Sequence, residues 1–328
     1  VTEPAPAERR DLIAVGASAG GVEALRALVG GLPPAYPGTL LVVLHMPRSA
    51  PSALPGILSR SGPLPATAAR DGEPVAAGRI YVAPADHHLL LMDGHLQLSR
   101  GPTENGHRPA VDPLFRSVAR AAGRRAVGVV LSGSRDDGAA GLAVIAARGG
   151  ATIVQEPQDA LHPWMPRAAL NAVEVHHVVP AAKIGPLLGE ITATTLAPAS
   201  ALGPDPLLDA EVAVSEFVPL SSDQFAPPAG FGCPTCGGSL FQIEERPIPR
   251  FRCRVGHAWS PETLLDEQAE VLEGALWMAL RALREKAELS RRMAAGGRDH
   301  FLERAEEAEA AAATLGELIA RLGATATN

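Results

Sequence analysis

Apolar runs of four to seven residues alternate with segments of helical period from residue 11 to residue 192. The runs predict strands over 12–15, 39–45, 79–83, 126–132, 151–155 and 175–179. The segments between them predict helices over 21–30, 53–60, 113–122, 138–148, 166–171 and 182–191. Strands that are apolar throughout suit a parallel sheet buried on both faces. Strand–helix alternation of this length implies an α/β domain with a doubly wound, mostly parallel, Rossmann-like sheet. One stretch breaks the alternation. Two apolar runs, 89–92 and 95–98, flank Asp93-Gly94, a strong hairpin signal. This hairpin is expected at an edge or at the mouth of the sheet.

The pattern changes after residue 192. Pro198, Pro204, Pro206, Pro219, Pro227 and Pro228 interrupt residues 193–230, which read as a linker. Residues 231–259 hold every cysteine of the chain. From residue 260 the period is helical: Ser260 is a good N-cap, Pro261 fits the first helical position and Glu262 complements the dipole. Leu265, Ala269, Leu272, Leu276, Ala279 and Leu283 form one apolar stripe, and Phe301, Ala305, Ala308, Ala312, Leu315, Ile319 and Leu322 form a second. Gly296-Gly297 marks the turn between them. The expectation is a helical hairpin over 260–324 that packs on itself or on another copy of the chain, with a dedicated partner surface as the alternative.

Composition narrows the class. The chain has 328 residues, 46% of them hydrophobic, which is enough for a large core and more than one domain. A net charge of −7 argues against a general nucleic-acid binder. Residues 261–328 carry thirteen acidic and eight basic side chains, so most of the acidity lies in the tail. No apolar run approaches a membrane span, and residues 1–10 lack the apolar core of a signal peptide. A cytoplasmic protein without membrane insertion is the resulting expectation.

The first strand leads into Gly16-Ala17-Ser18-Ala19-Gly20-Gly21 and then a helix. A hydroxyl on that turn faces the open end of the sheet, beside unpaired helix amides and a positive dipole end. Gly16-x-Ser18-x-Gly20 matches the nucleophile-elbow expression. On this turn alone, a phosphate or dinucleotide loop and a plain tight joint stay open, although the Gly-x-Gly-x-x-Gly and Lys-Ser/Thr patterns are missing. A serine nucleophile needs a base, and the base needs an orienting carboxylate. His45 closes the second strand just before Pro47, and Asp136-Asp137-Gly138 follows another apolar strand. Chemically matched residues at three strand ends should converge in an open α/β sheet. Their order, Ser–His–Asp, differs from that of α/β-hydrolases.

Six segments occur in order: Val15-Gly-Ala-Ser-Ala-Gly-Gly21, Leu44-His-Met-Pro47, Ile80-Tyr-Val-Ala-Pro-Ala-Asp-His-His-Leu89, His107-Arg-Pro-Ala-Val-Asp112, Leu131-Ser-Gly-Ser-Arg-Asp-Asp-Gly-Ala-Ala-Gly141 and Met165-Pro-Arg-Ala168. With them, residues 11–192 resemble the catalytic domain of the CheB-type chemoreceptor protein-glutamate methylesterases. The resemblance implies Ser18 as nucleophile, His45 as base and Asp137, the aspartate directly before the glycine, as orienting acid. It implies hydrolysis of glutamyl methyl esters on a methylated chemoreceptor-type protein, and also deamidation of glutamine, with no cofactor for the catalysis. Arg108, Arg135 and Arg167 are candidates for contact with an acidic receptor helix, against the plainer reading of solvated surface arginines.

There are two departures from the family. Ser132-Gly-Ser-Arg135 stands where the family commonly has Thr-Gly-Met-Gly, so Ser134 replaces a methionine whose backbone amide is associated with the oxyanion site. About ten residues precede the first strand, so the expectation is a chain without the receiver domain common in the family. Two other readings stand beside the methylesterase: a serine esterase or amidase for a different substrate, favoured by Ser134, and a regulatory binding module without turnover.

Cys233-Pro-Thr-Cys236 and Cys253-Arg-Val-Gly-His257 place three thiols and an imidazole at ligand spacing. A Cys₃His set suits tetrahedral Zn²⁺. Four protein ligands leave no open position, so a structural zinc-ribbon-like module is expected, with disulfide redox at Cys233 and Cys236 as the rival. An odd cysteine count clustered in 21 positions fits a reducing compartment. The predicted division is therefore 1–192 catalytic, 193–230 linker, 231–259 ribbon and 260–324 helical hairpin. The ribbon and hairpin are expected to dock a partner or mediate dimerisation.

Overall fold

A computed structural model describes residues 8–49, 52–198, 202–216, 218, 227–243, 248–295, 298 and 300–325. Its first nine strands are β1 (Leu12–Ala17), β2 (Thr39–Leu44), β3 (Ala66–Ala68), β4 (Ile80–Val82), β5 (His88–Met92), β6 (His95–Ser99), β7 (Ala126–Val130), β8 (Ala151–Gln155) and β9 (His177–Val179). Seven of them form one sheet in the order β3-β4-β2-β1-β7-β8-β9, and every pairing in it is parallel. The helices α1 (Gly21–Gly30), α2 (Leu54–Ser61), α3 (Val111–Ala122), α4 (Ala139–Ala147), α5 (Trp164–Ala172) and α6 (Ala181–Ala193) alternate with the strands. The sheet runs from β1 to β2 on one side and resumes with β7 on the other. A crevice at the carboxyl end of β1 is the expected site in such a fold.

Both faces of the sheet are covered. Ile13, Val15, Leu40 and Val42 pack with Leu25, Leu28, Leu58 and Leu188 on one side. Ala14, Leu41 and Val43 pack with Leu114, Phe115, Val118 and Met165 on the other. Each fully buried aliphatic or aromatic side chain contributes about 1.5–3 kcal/mol. The hairpin β5–β6 turns at Asp93-Gly94, both at positive φ, as that dipeptide dictates. It forms its own two-stranded sheet instead of extending an edge of the large one. Leu89, Leu91 and Leu96 pack in one cluster with the apolar residues of α3, and Leu91 N–H donates to Ser117 Oγ at 3.0 Å.

The stretch expected as a linker contains a helix, α7 (Pro206–Val214). Asp205 caps it by accepting from Leu208 N–H at 3.0 Å, and Pro206 opens it. It packs on α3 and buries Leu208, Glu211, Val212 and Val214. Pro219 and most of the later linker lie outside the described residues. Strands β10 (Pro228–Gly232), β11 (Ser239–Ile243), β12 (Arg250–Cys253) and β13 (Ala258–Trp259) then form a four-stranded antiparallel ribbon.

Ribbon, α7 and parallel-sheet domain meet at a buried charge cluster. Arg116 of α3 donates to both oxygens of Glu104 at 2.6 and 2.7 Å. Arg252 of β12 donates to Glu104 and to Glu211 of α7, each at 2.9 Å. Arg250 pairs with Glu211. All five side chains are at most 3% exposed. Residues 1–264 accordingly form one compact unit, and 265–328 form the other. The cluster ties together segments on either side of the boundaries drawn from composition at 193 and 231, whereas the division between the two units, after Leu264, lies close to the boundary drawn at 260.

The second unit contains most of helix Pro261–Ala295 and all of helix His300–Thr325. Gly296, Gly297 and Asp299 of the expected turn lie outside the described residues. Leu280, Ala312 and Ile319 form its core with Leu276, Leu283 and Leu315 around them. Of the expected first stripe only Leu276 and Leu283 pack there: Leu265 is 69% exposed and Leu272 52% exposed, while Leu280, off that stripe, is buried. At 1.5 Å per residue the shorter helix spans about 39 Å and the longer about 52 Å. The hairpin partner therefore ends before the first turns of the longer helix.

Candidate active site

Ser18 is the first residue beyond β1, and His45 the first beyond β2. Ala17 pairs with Leu44 in register, so the next rung of the ladder sets Ser18 beside His45. His45 N–H donates to Ala17 O at 3.1 Å, and Ser18 N–H to Ser132 O at 2.9 Å. Ser18 is thus held between the ends of β2 and β7. Gly20, at φ 70°, turns the chain into α1, whose N-terminus has no side-chain cap. The amides opening that helix stay clear of any competing side chain of their own cap residue.

Asp137 reaches the same crevice from the β7–α4 loop. Its Oδ2 lies 2.7 Å from His45 Nε2 and accepts from Val111 N–H at 2.6 Å. Its Oδ1 accepts from Asp112 N–H at 3.3 Å and Asn105 Nδ2 at 3.2 Å. Val111 and Asp112 open α3, so the carboxylate sits on a helix N-terminus. Burial works against its ionisation, but the His45 hydrogen bond, the two neighbouring imidazoles and the Val111 amide win and hold it well below the usual carboxylate range. Its neighbour Asp112 is pushed the other way, up to about 7, by burial and by the Asp137 charge. Asp136 points elsewhere: Thr263 Oγ1 donates to it at 2.7 Å.

His45 is 5% exposed, and its second ring nitrogen, Nδ1, is buried without a hydrogen-bond partner. Ser18 therefore does not donate to Nδ1 in this resting arrangement. Such bonds are commonly long before substrate arrives. The ring of His107 stacks on His45, with centroids 3.7 Å apart and planes 15° from parallel. Burial, with the adjacent His45, lowers His107 to about 4, so it stays neutral at neutral pH. Neither His107 nor Asn105 stands out as a site residue from the sequence. Asn105-Gly106, both at positive φ, form a tight turn that delivers Asn105 to Asp137 and His107 to His45. The Asn-Gly dipeptide signals the turn, but nothing local signals its targets.

The remaining candidates are placed as follows. Ser134 is exposed on the loop after Gly133. Arg108 is engaged internally, donating to Asp86 at 2.9 and 2.6 Å and to the carbonyls of Arg100 and Gly101. Arg167 lies 5.2 Å from the ring centroid of Trp164, which is 58% exposed. Cys233, Cys236, Cys253 and His257 come together, with all four ligand atoms within 4.8 Å of one another.

The model of the CheB methylesterase domain matches residues 13–188, more than half of the chain. The chain belongs to the CheB methylesterase family. Protein-glutamate methylesterase/protein-glutamine glutaminase 2 of Anaeromyxobacter dehalogenans is 41% identical over 189 residues, 58% of this chain and 55% of that protein. Protein-glutamate methylesterase/protein-glutamine glutaminase 1 of Rhodospirillum rubrum is 40% identical over 185 residues, 54% of this chain and 47% of that protein. The chain spans about half the length of the curated relatives it matches. The crystal structure of the Thermotoga maritima CheB methylesterase catalytic domain superposes with a TM-score of 0.53 at 30% identity, covering 55% of this chain and 97% of that one. Ser18, His45, Asn105, His107 and Asp137 all fall inside the CheB segment, and the Cys₃His cluster falls outside it.

Proposed function

We propose that this CheB-family chain is a serine hydrolase that demethylates glutamyl methyl esters of a chemoreceptor-type signalling protein. The observation that carries the reading is the 2.7 Å His45–Asp137 hydrogen bond on the rung beside Ser18. The names of the relatives supply the substrate class. In this mechanism Ser18 Oγ attacks the γ-carbonyl carbon while His45 takes the hydroxyl proton. Amides of the first turn of α1 beyond Gly21, whose own N–H is donated to Ser18 O at 2.9 Å, hold the oxyanion. The tetrahedral intermediate collapses, the C–O bond to the methoxy group breaks, and His45 returns the proton so that methanol leaves. Water then attacks the acyl-Ser18 ester with His45 again as base, giving glutamate and free Ser18. The ionised Asp137 stabilises the imidazolium in both halves. Deamidation of glutamine is the same sequence with ammonia leaving.

His107 supports this chemistry by staying neutral against the His45 ring, adding stacking without a competing positive charge. Among the described residues no helix is long and apolar enough to cross a membrane. Three cysteines and a histidine at metal-ligand spacing fit a reducing compartment, and we place the protein in the cytoplasm, where the signalling face of a receptor would be met. The test is methanol release from a methylated chemoreceptor by the wild-type chain and by Ser18→Ala. The expected outcome is release by the wild type and a loss of about 10⁴-fold or more in the variant. Turnover of small esters alone would favour an esterase of different substrate, and release that survives Ser18→Ala would remove the reading.

A further inference from the structure

The ligand atoms of Cys233, Cys236, Cys253 and His257 lie within 4.8 Å of one another, and two of their separations match the edges of a tetrahedral metal site. Zn–S bonds of about 2.3 Å and Zn–N bonds of about 2.0–2.1 Å require ligand atoms about 3.5–3.8 Å apart. Cys236 Sγ and Cys253 Sγ lie 3.7 Å apart, and Cys253 Sγ and His257 Nδ1 lie 3.5 Å apart. At 3.7 Å Cys236 and Cys253 are too distant for a disulfide, whose S–S bond is about 2.05 Å, and all three cysteines are free. Backbone turns present the ligands: Gly237 N–H donates to Cys233 O, and Gly256 N–H to Cys253 O. Trp259 Nε1 donates to Cys233 Sγ at 3.4 Å, support of the kind that orients a ligating thiolate.

The segment after His257 is the one that touches the CheB site. Ala258 N–H donates to Thr103 O at 3.2 Å, and Asn105 N–H donates to Ala258 O at 2.8 Å. Ser260 N–H donates to Asn105 Oδ1 at 2.9 Å. That bond fixes which way the Asn105 amide faces, and its Nδ2 then donates to Asp137. Three residues after Ser260, Thr263 Oγ1 donates to Asp136. The ribbon has only a small core, Cys233, Leu240, Phe251, Cys253, Trp259 and Leu264, and two of its six members are ligands. Modules of this size depend on a staple such as a metal.

We propose that Cys233, Cys236, Cys253 and His257 bind one structural Zn²⁺, and that this metal fixes the 258–260 segment that positions Asn105 against Asp137. Asn105 is a positioning residue, acting through Asp137. The effect on turnover rests on the methylesterase reading, whereas the metal and the contact it holds do not.

The test uses the full chain. Metal analysis is expected to give one zinc per chain. Loss of a partner behind a ligand already costs about 10–100-fold in metal affinity, so Cys236→Ser is expected to lose more. To separate metal loss from misfolding in that variant, zinc is also withdrawn from the wild type by a chelator under reducing conditions and then restored. Hydrogen exchange in peptides covering residues 103–112 is expected to quicken about tenfold on withdrawal and to recover on restoration, with β1 and β2 unchanged. Asn105→Gly, which tolerates the positive φ, is expected to keep its zinc and its KM while kcat falls. Iron in place of zinc, no metal, exchange indifferent to zinc, or Asn105→Gly with unchanged kcat would each overturn the proposal. Zinc and exchange as expected, with no ester hydrolysis in any sample, would instead overturn the methylesterase reading and leave the metal assignment standing.

Discussion

A Cβ built on Gly133 would lie 2.0 Å from Met165 Sδ and 2.9 Å from Ser18 Cβ. The residue after Ser132 must therefore be glycine for Ser18 and the buried Met165 to occupy adjacent space. Gly133→Ala is expected to cost about 1–3 kcal/mol of stability, the usual penalty of overpacking, and to displace Ser18 and lower turnover with it. Urea unfolding and an ester assay check both; an unchanged midpoint and rate would contradict the packing described. The strand-end positions of Ser18 and His45 could be read locally, because apolar runs stop at a glycine-rich turn and at Pro47. His107 and Asn105 could not. Their partners, His45 and Asp137, lie 62 and 32 residues away in sequence, and neither ring stacking nor an amide donor leaves a spacing pattern.

The helical hairpin separates buried from exposed leucines on one helix. Leu280 is 3% exposed within the core of the hairpin, and Leu272, two turns earlier, is 52% exposed. Leu280→Ala is expected to lower the stability of the hairpin by about 2–5 kcal/mol, and Leu272→Ala to change it by less than about 0.5 kcal/mol. Thermal unfolding followed by circular dichroism measures both, and equal effects would contradict the pairing. The sequence stripe identified the helices but assigned them the wrong length of contact, since periodicity does not reveal where a shorter partner ends. The short strand β3 escaped notice for a related reason: three residues are too few to establish a period.

Glu104, Arg116, Glu211, Arg250 and Arg252 join segments that are up to 148 residues apart, and in the sequence each reads as an ordinary surface charge. That is why residues 193–230 read as a linker although α7 carries one of the five. Arg252→Ala leaves two buried carboxylates short of a partner and is expected to cost about 3–5 kcal/mol, measured by denaturant unfolding. The cluster also sets an acid limit. Burial opposes ionisation of Glu104, but Arg116, Arg252 and Arg250 outweigh it and bring its pKa down to about 2. A depressed carboxylate stabilises the fold above its unfolded pKa, about 4.3, and loses that stabilisation as pH falls through about 2. Stability is expected to drop across that window, with a shallower drop in Glu104→Gln; parallel curves would contradict the assignment. At the same scale, the central claim is that the ends of β1, β2 and β7 assemble one covalent catalyst. The most direct measurement is labelling of the intact chain with a serine-reactive phosphonate, located by peptide mass mapping. The expected result is a single label on Ser18 that is lost in His45→Ala. No label on Ser18, or one that forms equally well without His45, would contradict it.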